Sequence, residues 1–204
     1  MSLQGKNKLH LLLGTHKGAF IFSANLERKK WKLSGPFLKG GDVNHLIMDT
    51  RTEPKLYACV NSYWFGSGVQ ISKDFGATWT QADTPIRFDE GGEMKVNRVW
   101  HVALGRKSEP SVLYAGVDPG ALFKSEDGGK NWSEVKSLTN HPTRQQWNPG
   151  AGGMMVHSFA FYPIDTKKMY VGISAAGTFY TDDGGKNVGA GQQRRPCRKM
   201  LSSM

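Results

Sequence analysis

Three histidines recur at an even spacing, and their side chains could do chemistry if the chain brings them together. His45, His101 and His157 each lie 56 residues from the next. Imidazole rings act as general acids and bases and as metal ligands. The three could therefore ring a channel mouth as a metal or substrate site, or they could be repeat positions held by backbone hydrogen bonds. We favour the structural role and predict no metal and no cofactor.

Two further stretches combine aromatic rings with polar groups in segments that show no strand or helix periodicity. Residues 61–66 form an aromatic loop suited to stacking on a sugar or another flat ligand, and residues 140–147 offer an imidazole, a guanidinium and an indole. Such side chains could equally pack on neighbouring elements or remain solvated. The residues that we predict to contact a ligand are Tyr63, Trp64, Arg98, His101, His141, Arg144, Trp147, His45 and His157.

A recurring aspartate sequence has a structural explanation. Residues 72–79, 125–132 and 181–187 align, with their aspartates 53 and 56 residues apart, and a degenerate copy lies at 23–31. A short acidic side chain can accept backbone N–H bonds and fix a hairpin turn, while glycine supplies positive φ. We therefore expect these aspartates to be structural. The turn residues are Ser72, Asp74, Gly76, Trp79, Ser125, Asp127, Gly129, Trp132, Thr181, Asp183 and Gly185.

The elements that must position these residues are short apolar strands. Strand-like runs at 43–48, 99–104 and 156–161 open units of roughly 55 residues, each of which contains three or four strands without helical periodicity. Such all-β repeats are typical of propeller blades, which bury their faces against neighbouring blades. We predict an all-β fold of four-stranded antiparallel blades, about three to four in number, that form an incomplete propeller.

The lengths of the connections predict which end of the blades is functional. The aspartate turns and the short connections fall on one end, and the long connections 81–97 and 134–155 fall on the other. The turns 61–67 and 118–120 lie on that second end, which we call the long-loop end. Long segments without secondary structure often carry function. We therefore expect a ligand site at the long-loop end.

The aspartate turns resemble the Asp-box, or BNR, repeat of sialidases and sortilin-type receptors. Residues 13–20, 98–101 and 139–144 resemble bacterial sialidase-like or glycosyl-hydrolase-like BNR-repeat proteins, and the resemblance covers about residues 9–187. It implies a propeller that binds a carbohydrate or protein ligand through its loop face.

Two enzymatic alternatives stay open beside ligand binding, and neither has assigned catalytic residues. One is an exo-sialidase in which Arg87, Arg98 and Arg144 would clamp a substrate carboxylate. The Phe/Tyr-Arg-Ile-Pro motif of sialidases is absent, however, and no Tyr–Glu pair can be assigned. The other alternative is a metal-dependent hydrolase or lyase that uses the three histidines.

Charge and composition bound the partners. Four of the ten net positive charges come from residues 189–204, and the other basic residues are scattered, so we expect no specific nucleic-acid binding. No apolar run reaches membrane-span length and no signal peptide is evident, which predicts a cytoplasmic protein without membrane contact. We assign residues 1–188 to a partial propeller with open edges that could self-associate. Residues 189–204 are predicted to be an aberrant, disordered basic tail.

Overall fold

The computed structural model describes residues 8–63, 66–89, 94–165 and 167–191, and the all-β prediction is confirmed there. Helix is confined to α1 (Lys136–Thr139) and a 3-10 turn at Arg144–Gln146. The strands are β1 (Lys8–Thr15), β2 (Gly18–Asn25), β3 (Lys32–Phe37), β4 (Asp42–Asp49), β5 (Lys55–Ser62), β6 (Gly66–Ser72), β7 (Thr80–Gln81), β8 (Arg98–Leu104), β9 (Leu113–Asp118), β10 (Ala121–Ser125), β11 (Ser133–Glu134), β12 (Val156–Phe161), β13 (Met169–Ile173), β14 (Gly177–Thr181) and β15 (Gly189–Ala190).

The strands form four antiparallel sheets in which sequential strands are neighbours. β4–β7, β8–β11 and β12–β15 are four-stranded, and β1–β3 make a three-stranded sheet. The inner strands β4, β8 and β12 contact one another in turn, and β1 lies beside β4. This is the blade arrangement of an open, incomplete propeller, as predicted. The expectation that no strand follows residue 188 was wrong for Gly189–Ala190, and residues 192–204 lie outside the described part of the chain.

Consecutive sheets bury their facing sides against each other. The five residues of β9 from Leu113 to Val117 are all buried, because the third sheet has a neighbour on each face. A strand covered on both faces does not alternate apolar and polar residues, which explains the continuous apolar runs in the sequence. The core is therefore a series of layers between blades.

The long connections fill the spaces between sheets beyond the short outer strands. Ile86 and Phe88 are buried between the second and third sheets, and the Thr84 N–H donates to the Lys130 carbonyl of the next aspartate turn at 3.1 Å. In the following connection α1 buries Leu138. Residues 134–155 were predicted to lack secondary structure, and that prediction was wrong. An outer strand of only two residues leaves apolar surface, and these segments cover it.

The aspartate turns have one hydrogen-bond pattern, shown here for the third sheet. The Ser125 hydroxyl donates to Asp127 Oδ1 at 2.9 Å and accepts the Gly129 N–H at 2.9 Å. The Asn131 N–H donates to Asp127 Oδ1 at 3.0 Å. The Trp132 indole donates to the Gly129 carbonyl at 3.0 Å. Glycine 129 has a φ of 90°, a conformation that disfavours other residues. These bonds close the turn without a ligand.

The second and fourth sheets repeat the same geometry. Hydrogen bonds from Thr78 lower the pKa of Asp74 to about 2, and those from Asn187 lower the pKa of Asp183 to about 2. Both carboxylates are therefore ionised at neutral pH and occupied by the turn. This arrangement supports the structural role that was predicted for the aspartates.

Arginine side chains tie the short connections of neighbouring sheets together on the same end. Arg51 makes a bidentate pair with Asp49 (Nε–Oδ1 and Nη2–Oδ2, both 2.9 Å) and donates from Nη1 to the Val112 carbonyl of the next sheet at 3.1 Å. Arg106 likewise donates to the Lys168 carbonyl at 3.1 Å. These contacts fix the spacing of consecutive blades.

Two expectations concern membranes and cysteines. Within the described residues, no helix is long and apolar enough to cross a membrane. Cys59 is a free, fully buried thiol in β5, and burial raises its pKa. Cys197 lies outside the described residues.

Candidate functional site

Each inner strand of the four-stranded sheets begins at the long-loop end with a β-bulge. The pairing register shifts between Val43 and His45 and between Val99 and His101. In β12 it shifts one position earlier, between Val156 and Ser158. Bulges re-aim side chains and occur often beside active sites. The residues set out of register by the bulges are Asn44, Trp100 and His157.

The bulges show that the three evenly spaced histidines are not equivalent. His45 and His101 follow their bulges, whereas His157 occupies the bulge itself and Ser158 stands where the other two strands have histidine. The repeat from β8 to β12 is thus one residue longer than the constant spacing of 56 suggests. The structure therefore does not form a ring of three matching imidazoles.

His45 and His101 form a stacked pair between the second and third sheets. Their ring centroids are 3.9 Å apart at an interplanar angle of 18°, and His45 Nδ1 accepts the Val102 N–H at 3.4 Å. Burial lowers the pKa of His45. Burial together with the charges of His45 and His157 lowers the pKa of His101 to about 4. The pair is therefore neutral at pH 7. Among the described residues, no group of three or more His, Cys, Asp or Glu side chains could hold a metal ion.

Asp42 brings together polar side chains from three consecutive sheets at the long-loop end. Its Oδ1 lies 3.0 Å from His16 Nδ1, in the β1–β2 turn, and its Oδ2 lies 3.4 Å from Arg98 Nη1, at the start of β8. The Asp42 side chain is 21% exposed, Arg98 47% and His16 85%. We call these three residues the Asp42 trio. Its polar groups are fixed in position and reachable from solvent.

Sequence reasoning included Arg98 and missed Asp42 and His16. A signal was present, because Asp42 and Arg98 are 56 residues apart and each immediately precedes an inner-strand run. Equivalent positions in successive repeats lie at the same height on neighbouring blades. Opposite charges at such positions predict an ion pair between blades.

The floor beside the trio is held by an asparagine pair. Asn61 Nδ2 donates to Asn44 Oδ1 at 2.6 Å, and Asn61 Oδ1 accepts the Val99 N–H at 2.8 Å. Asn61 is also the register partner of Asp42. Tyr63 follows two residues later and is 93% exposed, which places an aromatic ring near the trio. Trp64, also predicted to bind a ligand, lies outside the described residues.

The structure places His141, Arg144 and Trp147 in packing roles. His141 and Trp147 are each 8% exposed and both rings contact Phe179. Arg144 donates to the Gly120 carbonyl and lies 4.8 Å from the Trp147 ring centroid. Burial lowers the pKa of Arg144. These side chains anchor the connection to the third and fourth sheets, so we do not carry them into the candidate site.

Arg87 lies on the outer rim, far from Arg98. It lines a cleft of about 550 Å³ together with Trp132 and Lys136, beside outer strand β11. Arg98 begins β8, the inner strand of the same sheet, and three strand spacings of about 4.8 Å separate inner from outer strands. The three arginines proposed as a carboxylate clamp are therefore not brought together.

Comparison with known sequences finds carbohydrate-active relatives. No family model matches the chain. A probable oligoxyloglucan-reducing end-specific xyloglucanase of Neosartorya fischeri is 31% identical over 169 residues, which cover 79% of this chain and 20% of that protein. A sialidase of Bacteroides fragilis is 29% identical over 154 residues, covering 59% of this chain and 28% of that protein. The chain thus spans less than a third of either relative's length.

Solved structures show the same fold. The GH74 xyloglucanase from Xanthomonas campestris superimposes with a TM-score of 0.63 at 18% identity, covering 91% of this chain and 29% of that one. YCF48 from Cyanidioschyzon merolae gives a TM-score of 0.54 at 14% identity, covering 92% of this chain and 56% of that one. The chain therefore has the blade architecture of a β-propeller and is similar in sequence to propeller glycoside hydrolases.

Proposed function

We propose that this protein is an Asp-box propeller that binds a carbohydrate at its long-loop end, on the Asp42 trio and the neighbouring Tyr63. The observation that supports this most directly is the Asp42 carboxylate, held by both oxygens between two sheets and still exposed. The curated relatives named xyloglucanase and sialidase point to a glycan as the ligand class.

The chemistry of the trio suits sugar hydroxyl groups. A carboxylate offers more acceptor positions than two partners fill, so Asp42 can accept hydroxyl donors, and Arg98 can donate to ring and hydroxyl oxygens. An exposed aromatic ring such as Tyr63 offers an apolar face with a polar edge for a sugar ring. Because the ion pairs hold Asp42 and Arg98 in place, little side-chain entropy is lost when the ligand binds.

Glycoside hydrolysis is the second candidate, and the names of the relatives favour it. Hydrolysis of this kind uses two carboxyl groups that flank the scissile bond. Asp118 is a second carboxylate at the long-loop end, but its oxygens accept the Met154 N–H at 3.3 Å and the Asn97 amide at 3.3 Å. Because Asp118 is committed to holding loops, we place binding first.

Calorimetric titration with xyloglucan oligosaccharides and with 3′-sialyllactose tests the proposal. Asp42→Ala, Arg98→Ala and Tyr63→Ala should each weaken binding about tenfold, the loss expected for one hydrogen bond to a charged group or one stacking contact. Lys107→Ala, an exposed change in the β8–β9 connection on the opposite end, is the matched control and should bind normally. Absence of binding by the unaltered protein would contradict the proposal.

A reducing-sugar assay on the same oligosaccharides separates binding from hydrolysis. Product formation that disappears in Asp42→Asn, with binding retained, would favour the second candidate. Product formation that is indifferent to Asp42 would show that the trio is not the reacting centre.

A further inference from the structure

The turn at residues 23–31 departs from the three aspartate turns although it occupies the same place in its sheet. Asn25 stands where the others have aspartate, and the Ser23 hydroxyl is hydrogen-bonded to His10 Nδ1 at 2.8 Å. Trp31 is 41% exposed, whereas Trp132 of the third sheet is 6% exposed and bonded to its turn. The first sheet has therefore exchanged a closed turn for an open one with an accessible indole.

The strand register gathers lysines beside this open turn. Lys8 pairs with Asn25 across β1 and β2, and Ser23 pairs with Lys32 across β2 and β3. Residues two apart on a strand and their cross-strand partners point to the same face, so both lysines share one face of the sheet. A cleft of about 460 Å³ results, lined by Lys8, Lys29, Lys30 and Lys32 with Trp31 and Glu27.

The cleft carries an excess of positive charge. Four lysines line it, and Glu27 is the one acidic side chain among the described residues that do so. Glu27 lies 3.9 Å from Lys29 with both side chains largely exposed, so their pairing is weak. Like charges held close together raise the local concentration of anions. The sequence showed these lysines as scattered, and only the sheet collects them.

We propose that this cleft binds an acidic polysaccharide, with the lysines on its carboxylates and Trp31 stacked on a sugar ring. The volume falls within the range of pockets that hold a ligand of a few rings. A glycan is favoured over a nucleic acid because the sequence relatives are named for action on glycans. The cleft adjoins the turn end of the first sheet, opposite the long-loop end, so the two sites can be lost separately.

Titration of the full chain with polygalacturonate oligomers, followed by fluorescence polarisation at two salt concentrations, tests this site. We compare Lys29→Ala/Lys30→Ala with Lys107→Ala/Lys130→Ala, whose exposed lysines lie on other connections at the turn end. Both double variants lower the net charge of +10 by two, so residues 192–204 contribute the same background in each. Neutral xyloglucan oligosaccharides and a single-stranded oligonucleotide of equal charge serve as comparison ligands.

We expect binding of polygalacturonate that weakens with salt, falls about tenfold in Lys29→Ala/Lys30→Ala and changes less than about twofold in the control. Trp31→Ala should lose binding without changing the salt dependence, because stacking is not ionic. Equal losses in the two double variants would overturn the proposal, as would tighter binding of the oligonucleotide through the same lysines. Neutral xyloglucan should bind independently of all these changes, so failure here leaves the long-loop site a separate question.

Discussion

Replacement of Gly116 by alanine tests whether the third and fourth sheets pack as described. A Cβ on Gly116 would lie 2.3 Å from the Val156 carbonyl oxygen and 2.8 Å from the Val156 Cβ. Both atoms belong to inner strand β12, so relief requires the whole sheet to shift. Cys59 holds the same register position opposite histidine in β5, so a side chain is compatible with the strand itself and the neighbouring sheet sets the limit.

The magnitude follows from two opposing effects. Alanine in place of glycine stabilises by about 0.4–1 kcal/mol through the unfolded chain where the native geometry accepts it. Overpacking a close interface costs about 1–3 kcal/mol, and sometimes more. Since the contact at Gly116 is with backbone, we expect a net loss of about 1–3 kcal/mol in the free energy of unfolding.

Urea unfolding followed by tryptophan fluorescence measures the effect. The midpoint should fall by about 0.5–1.5 M with an unchanged slope. Gly152→Ala is the control, because a Cβ there meets no heavy atom within 4 Å, and its midpoint should stay within error of the unaltered protein. If Gly116→Ala unfolds at the same urea concentration as this control, the sheets do not approach as closely as the structure shows.

Three further predictions concern the turns, the latches and the histidine pair. Ser125→Ala should cost about 1–3 kcal/mol because the buried Gly129 N–H loses its acceptor, and a urea midpoint equal to that of the unaltered protein would contradict it. Arg51→Ala should cost about 3 kcal/mol because Asp49, 2% exposed, keeps an unpaired charge, and the double variant lacking both side chains should recover part of the loss in the same assay. The folded-state pKa of His101, about 4 against 6.5 unfolded, means that the unfolded chain binds more protons in this window. Unfolding free energy should therefore fall as pH drops from 6.5 to 4, and His101→Phe should flatten that slope.

Much of the fold could be read from the sequence because blade repeats are local. The bounds predicted for β12 and β13 match the structure residue for residue, since a strand buried on both faces is a continuous apolar run between turns. The aspartate turns were equally readable, because each hydrogen bond joins residues within five positions of each other. What failed locally was the connection with α1, where burial against two sheets overrides weak helix propensity.

The candidate sites depended on contacts that no local pattern encodes. Equal spacing suggested three matching histidines, but a single extra residue before β12 moves His157 into the bulge, since register in a strand changes face with every residue. Conversely, His16, Asp42 and Arg98 belong to three different repeats, and Lys8 meets Lys32 only through β2. The sequence by itself determined the blades and their turns. The tertiary structure decided which blade ends meet, because that depends on how the sheets stack against one another.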